Sequence, residues 1–224
     1  ETVVSVWPTV DERSENYARM NDLGYLVNAD RGLPYHSTWM GDIVYFDATH
    51  PGAQKFVWNR CKENYYSYGI RCFWLDEAEP EYYRYYAGPA LQCTNTYPVG
   101  YAKGFYEGLK AEGEKEVMSL VRCAWAGSQK YGVLTWSGDI YSSFRSMREQ
   151  LQAGLSMGMA GIPWWTSDIG GFLGGQIDKP EFRELLVRWF AWGAFCPVFR
   201  MHGERSPWYE REEEFRNGVR QLTS

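Results

Sequence analysis

The chain has 224 residues, 45% hydrophobic and 23% charged, with a formal net charge of −5. An acidic balance without a lysine or arginine run offers a phosphate backbone nothing to hold, so nucleic acid is excluded as a partner. The longest apolar stretches fall far short of the roughly 18 residues a membrane helix needs, so no membrane partner is expected either.

No secretory signal pattern opens the chain; Glu1 leads straight into Val3-Val4-Ser5-Val6-Trp7. With no initiator methionine, the expectation is a processed or excised piece, or a chain whose start is missing.

Six apolar, β-branched or aromatic runs recur, at 3–8, 70–76, 117–124, 133–138, 162–168 and 196–202. They do not alternate, which suits strands buried on both faces of a parallel sheet. Helical patterns lie between most of them. The stretch 53–68 follows Thr49-His50-Pro51, a helix start. A second pattern spans 98–112 and stops at Gly113. A third spans 142–159 behind a Ser-Ser cap; Met147, Leu151, Leu155 and Met159 stand four apart and predict one buried face. The fourth spans 181–191. Alternating β and α argues for βαβ units.

The predicted fold class is α/β, a TIM (β/α)₈ barrel, because chemistry-bearing residues cluster at strand C-termini, where barrel active sites sit. A doubly wound sheet is the rival, and no GxGxxG follows any strand to support it. The stretch 170–175 (GGFLGG) is glycine-rich but lacks Lys-Ser/Thr and reads as a loop. Six strands do not close an eight-stranded barrel, which takes about 250 residues. The expectation is therefore one partial catalytic barrel domain over 1–224, two βα units short.

Aromatic residues make up 17%, with 11 Trp and 17 Tyr. They fit a large aromatic core or a carbohydrate site, and composition leaves both open. The five cysteines form no CxxC pair and read as buried small hydrophobes in a reducing compartment. That suits a cytoplasmic location, with periplasm or secretion left open. Three histidines without metal spacing predict no metal, and no cofactor is expected.

Three strand ends finish in aspartate behind a tryptophan: Trp74-Leu75-Asp76, Trp136-Ser137-Gly138-Asp139 and Trp165-Thr166-Ser167-Asp168. One such Asp is usually a turn or cap residue. Three are harder to explain by capping, since burying an unpaired carboxylate is costly. Two carboxylates at one mouth can divide the work of a glycosidase, one attacking and the other passing protons. Arg122, Arg200 and His202 supply cations near these ends, for ion pairs that support loops or for sugar hydroxyls. Glu79 and Glu81 are further acidic candidates in a loop. The charged run 204–216 reads as a solvated helix face.

At these residues the chain resembles glycoside hydrolase family 31, the retaining α-glycosidases. Phe73-Trp74-Leu75-Asp76 with Glu79 resembles the nucleophile strand, and Trp136-Ser137-Gly138-Asp139 the acid/base motif. The stretch 161–172 (GIPWWTSDIGGF) resembles the seventh strand and Phe199-Arg200-Met201-His202-Gly203 the eighth. Arg122, ahead of Ala126-Gly127-Ser128-Gln129, matches the fifth-strand arginine.

The resemblance implies Asp76 as nucleophile and Asp139 as general acid/base. It implies a subsite lined by Trp74, Arg122, Trp136, Asp168, Arg200 and His202. Glu77-Ala78 stand where many members have Met-Asn. The first two barrel strands and the flanking β-domains have no counterpart, so the chain is similar to strands three to eight. The implied function is hydrolysis of terminal α-linked glucose or xylose from oligosaccharides. An α-transglycosylase on the same scaffold, or a non-catalytic carbohydrate-binding module, are the alternatives. The implied partners are an oligosaccharide substrate and, at the open sheet edges, missing barrel segments or another chain.

Overall fold

The computed structural model describes residues 2–29, 36–37, 41–79 and 83–203. The chain divides into two compact units, 1–135 and 136–224.

The first unit opens with β1 (Val3–Val6), β2 (Thr9–Asp11), α1 (Tyr17–Asp22), β3 (Ile43–Tyr45) and α2 (Pro51–Asn64). It continues with β4 (Cys72–Leu75), β5 (Arg84–Tyr85), β6 (Gly88–Pro89), α3 (Ala90–Cys93), α4 (Tyr97–Ala111), β7 (Ser119–Val121) and β8 (Val133–Trp136), the last residue of which is counted with the second unit. β2 and β3 form an antiparallel pair inside the long first connection, as do β5 and β6 after β4.

β1, β4, β7 and β8 lie side by side and parallel. Their registers align Val4, Phe73, Ser119 and Val133 in one row and Val6, Leu75, Val121 and Thr135 in another. Phe73, Leu75, Val121 and Val133 belong to the core cluster built with α2 and α4, and Val4 and Val6 pack against it. Because side chains alternate along a strand, the intervening row of Ser5, Trp74, Leu120 and Leu134 faces the other side of the sheet. Continuous burial of β7 and β8 matches a sheet covered on both faces. Among the described residues β4 is the one strand paired with β1, and Val3 and Ser5 are exposed.

α2 starts where the Thr-His-Pro signal places it. The His50 ring accepts from Gly52 N at 2.9 Å, and Pro51 occupies the first turn. α2 and α4 approach through glycines spaced four apart. A Cβ at Gly100 would stand 2.2 Å from the Ala48 carbonyl oxygen, and one at Gly108 2.2 Å from the Trp58 ring. Trp58 fills the resulting groove, edge-on to Phe73 and Phe105 with centroids 6.1 and 5.9 Å away. The buried Tyr97 and Tyr101 hydroxyls donate to the Phe46 and Val6 carbonyls, each at 2.9 Å. Much of the aromatic excess is thus core.

The second unit carries α5 (Phe144–Met159), β9 (Trp165–Thr166) and α6 (Pro180–Gly193). Ser143 caps α5, accepting from Ser146 N at 3.1 Å. Its core gathers Ile169, Phe182, Leu185 and Trp189, with Met147 against them.

The predicted apolar face of α5 is corrected here. Leu155 and Met159 are 67% and 90% exposed, and Leu151 is exposed too. A four-residue step advances about 40° beyond a full turn, so by Met159 the row has swung about 120° from Met147. Gly154 instead receives the Trp165 ring, 2.7 Å from where its Cβ would stand.

The sixth predicted strand, 196–202, is also corrected: the segment has no strand geometry. Cys196 N is spent closing α6, bonding Gly193 O at 3.0 Å, and Pro197 has no N–H to offer a ladder. Two bonds to its backbone carbonyls fasten the segment instead: Thr166 Oγ1 to Val198 O at 2.8 Å and Ile169 N to Arg200 O at 3.1 Å. The charged run 204–216 and Glu81 lie outside the described residues. The cysteines are thiols; Cys61 and Cys93 are buried, while Cys72, Cys123 and Cys196 are half-buried rather than fully enclosed.

Two predictions follow from this packing. Alanine at Gly108 gains about 1 kcal/mol of helix propensity but collides with Trp58. Overpacking outweighs that gain, so Gly108→Ala lowers stability by about 1–3 kcal/mol in denaturant titration. Burial pushes the Cys61 thiol from 9.0 up to about 12. The native fold therefore holds that proton after an unfolded thiol has lost it, and this group's contribution to stability falls as pH rises from 9 towards 12. At pH 8 native Cys61 carries far less thiolate than in the unfolded chain, so iodoacetamide labels it fast only in denaturant.

Candidate active site

Parallel strands in register end together, and their two-residue period decides which polar residues share a side. Asp76 follows Leu75 on the side of Trp74, and Arg122 follows Val121 on the side of Leu120. Asp76 N extends the β1–β4 ladder by bonding Val6 O at 3.2 Å, and Arg122 N bonds Leu75 O at 3.2 Å. Both side chains are thus fixed at the C-terminal edge, on the face away from α2 and α4. Trp74 is half-buried on that face.

Arg122 holds two carboxylates at once. Its Nη1 reaches Asp76 Oδ1 at 3.4 Å, and its Nε pairs with Glu79 Oε1. The Asp76 and Arg122 side chains are only 13% and 17% exposed. Poorly solvated charges of this kind persist because they are paired. Asp76 Oδ1 also accepts from Glu77 N at 2.9 Å. Beside them, burial first and the Glu79 charge second push the Cys123 thiol up to about 12, against the opposing pull of Arg122. That thiol is a proton-holding neighbour, not a nucleophile.

In the second unit Asp168 is wholly buried and Arg200 pairs with its Oδ1. The Arg200 guanidinium also lies over the Trp136 ring, 5.6 Å from its centroid. A planar guanidinium can pair edge-on and stack face-on together, which a lysine could not reproduce. His202 stacks on Phe172, with centroids 5.1 Å apart and planes 25° apart. Asp139 is exposed after Gly138, whose φ is +77°.

The glycine-rich stretch is a loop, as its sequence predicts, and its use is now visible. The Ile140 carbonyl accepts from Phe172 N at 2.7 Å and Leu173 N at 3.0 Å, tying the loop down beside Asp139. Gly171 has φ +83°, and a Cβ there would meet Ser142 backbone at 2.7 Å. Only glycine satisfies both demands.

Within the first unit, then, the predicted residues Asp76 and Arg122 meet, with Trp74 on the same face. Within the second, Asp168, Arg200 and Trp136 meet, while His202 is set by Phe172. Phe172 closes the seventh-strand motif in the sequence but carried no role of its own there; the structure shows it as the ring that sets His202. Glu79 was visible as a loop acid but not as the partner of Arg122. Among the described residues Glu12, His36 and Asp42 bring ligand-type atoms within 4.8 Å of one another at the surface. The two carboxylates each lie 3.1 Å from His36 Nδ1, which hydrogen bonding to the ring explains.

Residues 1–223 match the Glycosyl hydrolases family 31 TIM-barrel domain. The family 31 glucosidase ORF2 of Pseudescherichia vulneris is 60% identical over 212 residues, covering 92% of this chain and 40% of that protein. Alpha-xylosidase A of Aspergillus niger is 35% identical, covering 94% of this chain and 34% of its own length. A GH31 alpha-xylosidase from a soil metagenome, solved with xylose, superposes with a TM-score of 0.88 at 60% identity, covering 92% of this chain and 31% of that one. The chain therefore spans well under half the length of these relatives. Its strand-end carboxylates, its paired arginines and its match over nearly every residue agree: the chain belongs to glycosyl hydrolase family 31, within that family's TIM-barrel domain.

Proposed function

We propose that the protein carrying this chain is a retaining α-glycosidase that releases terminal α-linked xylose or glucose from oligosaccharides. The arrangement that carries this reading is Asp76, nearly buried at a strand C-terminus and held by Arg122. A carboxylate paired and oriented there is fitted to attack an anomeric carbon. Similarity to proteins described as alpha-xylosidases supports trying xylosides first. One partial catalytic barrel domain over 1–224 remains part of the proposal, with further barrel segments or another chain completing the edge at β1.

The proposed reaction has two displacements. Asp76 bonds to C1 as the glycosidic C–O bond breaks, and Asp139 gives its proton to the departing oxygen. Asp139 then takes a proton from water, which attacks C1 and releases Asp76. Exposure of Asp139 suits a group that must meet both the leaving oxygen and water. Trp74, Arg122, Trp136, Asp168, Arg200 and His202 would line the subsite of the cleaved sugar. The sugar is thereby offered indole faces for its C–H groups and charged groups for its hydroxyls.

Three outcomes test this in the protein at its full natural length. Asp76→Ala abolishes turnover of aryl α-xylosides and α-glucosides. Asp139→Ala spares the first step for substrates with good leaving groups, because they need no protonation. Equal loss for good and poor leaving groups contradicts the role of Asp139, and retained turnover in Asp76→Ala contradicts the nucleophile. Arg200→Met strands the buried charge of Asp168, so it lowers stability by about 3–5 kcal/mol in thermal or denaturant unfolding. Unchanged stability would show that the pair contributes nothing to holding that unit together. If these proteins bind xylosides yet never turn them over, the binding-module reading stands instead.

A further inference from the structure

We propose that Asp76 attacks through the carboxylate oxygen facing away from Glu77 N, and that the backbone of Glu77 is the positioning element that reserves it. This rests on the reading of Asp76 as nucleophile given above. Among the described residues, both hydrogen bonds that the carboxylate receives fall on one oxygen, Oδ1: Glu77 N at 2.9 Å and Arg122 Nη1 at 3.4 Å. Oδ2 is left for the substrate.

The bond from Glu77 N requires an uncommon backbone. Glu77 has φ +53°, the one non-glycine residue in the left-handed region among those described. A residue stays in that region only where its surroundings over-determine it. Here three anchors do so. Asp76 N is tied to Val6 O at 3.2 Å, the next residue Ala78 is sunk in the core at 2% exposure, and Glu79 is drawn to Arg122 Nε. The turn is pinned before and beyond Glu77, and its peptide N–H is directed at the Asp76 carboxylate.

This has a kinetic consequence. In the first step an Oδ2–C1 bond forms while the C1–O bond to the leaving group breaks and that oxygen takes a proton. Oδ1 becomes the ester carbonyl and keeps both donors. In the second step water adds to C1, the Oδ2–C1 bond breaks, and the electron pair returns to the carboxylate. Donors on Oδ1 stabilise the negative charge that reappears then, so they favour departure of Asp76 more than its attack. Loss of the Glu77 donor should slow the second step selectively.

The decisive experiment traps the full-length protein with a 5-fluoroglycosyl fluoride of the xylo or gluco series and solves its structure. The expected result is an ester through Oδ2, with Oδ1 still accepting from Glu77 N. An ester through the oxygen that Glu77 N contacts overturns the proposal. A label on another residue overturns the reading of Asp76 and this proposal with it. Kinetics give an independent check. Glu77→Pro has no N–H and cannot take φ above zero. It should lower kcat about tenfold, the scale of one hydrogen bond to a charged group. KM should fall in proportion, kcat/KM should hold, and a burst of leaving group should appear. Glu77→Gly keeps the donor at ease in the left-handed region and should rescue kcat without a burst. A merely structural role predicts loss of kcat/KM without a burst in Glu77→Pro, and that result contradicts the proposal.

Discussion

Parallel strands locked in register impose the constraint on which the candidate site depends. β1, β4, β7 and β8 pair residue for residue, so their C-termini end at one edge and their alternate side chains divide cleanly between two faces. One face is filled with Phe73, Leu75, Val121 and Val133 against α2 and α4. The other face carries Trp74 and, one step past the strands, Asp76 and Arg122. A one-residue slip of β4 would turn Asp76 into the helix-side core and Leu75 out to the site. The packing of Trp58 into the glycine groove of α4 therefore bears on the candidate site from a distance: it holds the helix layer behind the strands in register.

Charge pairing completes what register begins. Asp76 and Arg122 are scarcely solvated, and Asp168 is not solvated at all. Cations beside them offset the cost of holding such carboxylates away from water. Arg122 shares one guanidinium between Asp76 and Glu79, and Arg200 divides its interactions between Asp168 and the Trp136 face. Each arginine thereby ties a strand end to a loop, so the loops inherit the precision of the sheet.

The sequence made some of this legible and hid the rest for physical reasons. Strand ends were readable because a buried parallel strand is a short apolar run, and Asp76, Asp139 and Asp168 stood out where such runs stop. Helix starts were readable from His50-Pro51 and Ser143, whose caps act locally. The face of α5 was misread because spacing by four follows a helix only over a few turns. The segment 196–202 was misread because its composition is strand-like, while its backbone donors are claimed by the end of α6 and by Pro197. The glycines of α4 carried no visible message, since what they admit, Trp58, lies fifty residues away in the chain. The left-handed turn at Glu77 was equally silent: its departure from Met-Asn marked the place, but only the anchors around it reveal the geometry.

Family membership, register and charge pairing support one proposal, that Asp76 attacks the sugar in a retaining double displacement. The stereochemistry of the first product tests it most directly. Proton NMR of an aryl α-xyloside digest by the full-length protein, read before mutarotation, should show the α anomer appearing first. A β anomer appearing first would mean direct attack by water, and would contradict the account of Asp76 as the group that bonds to the sugar.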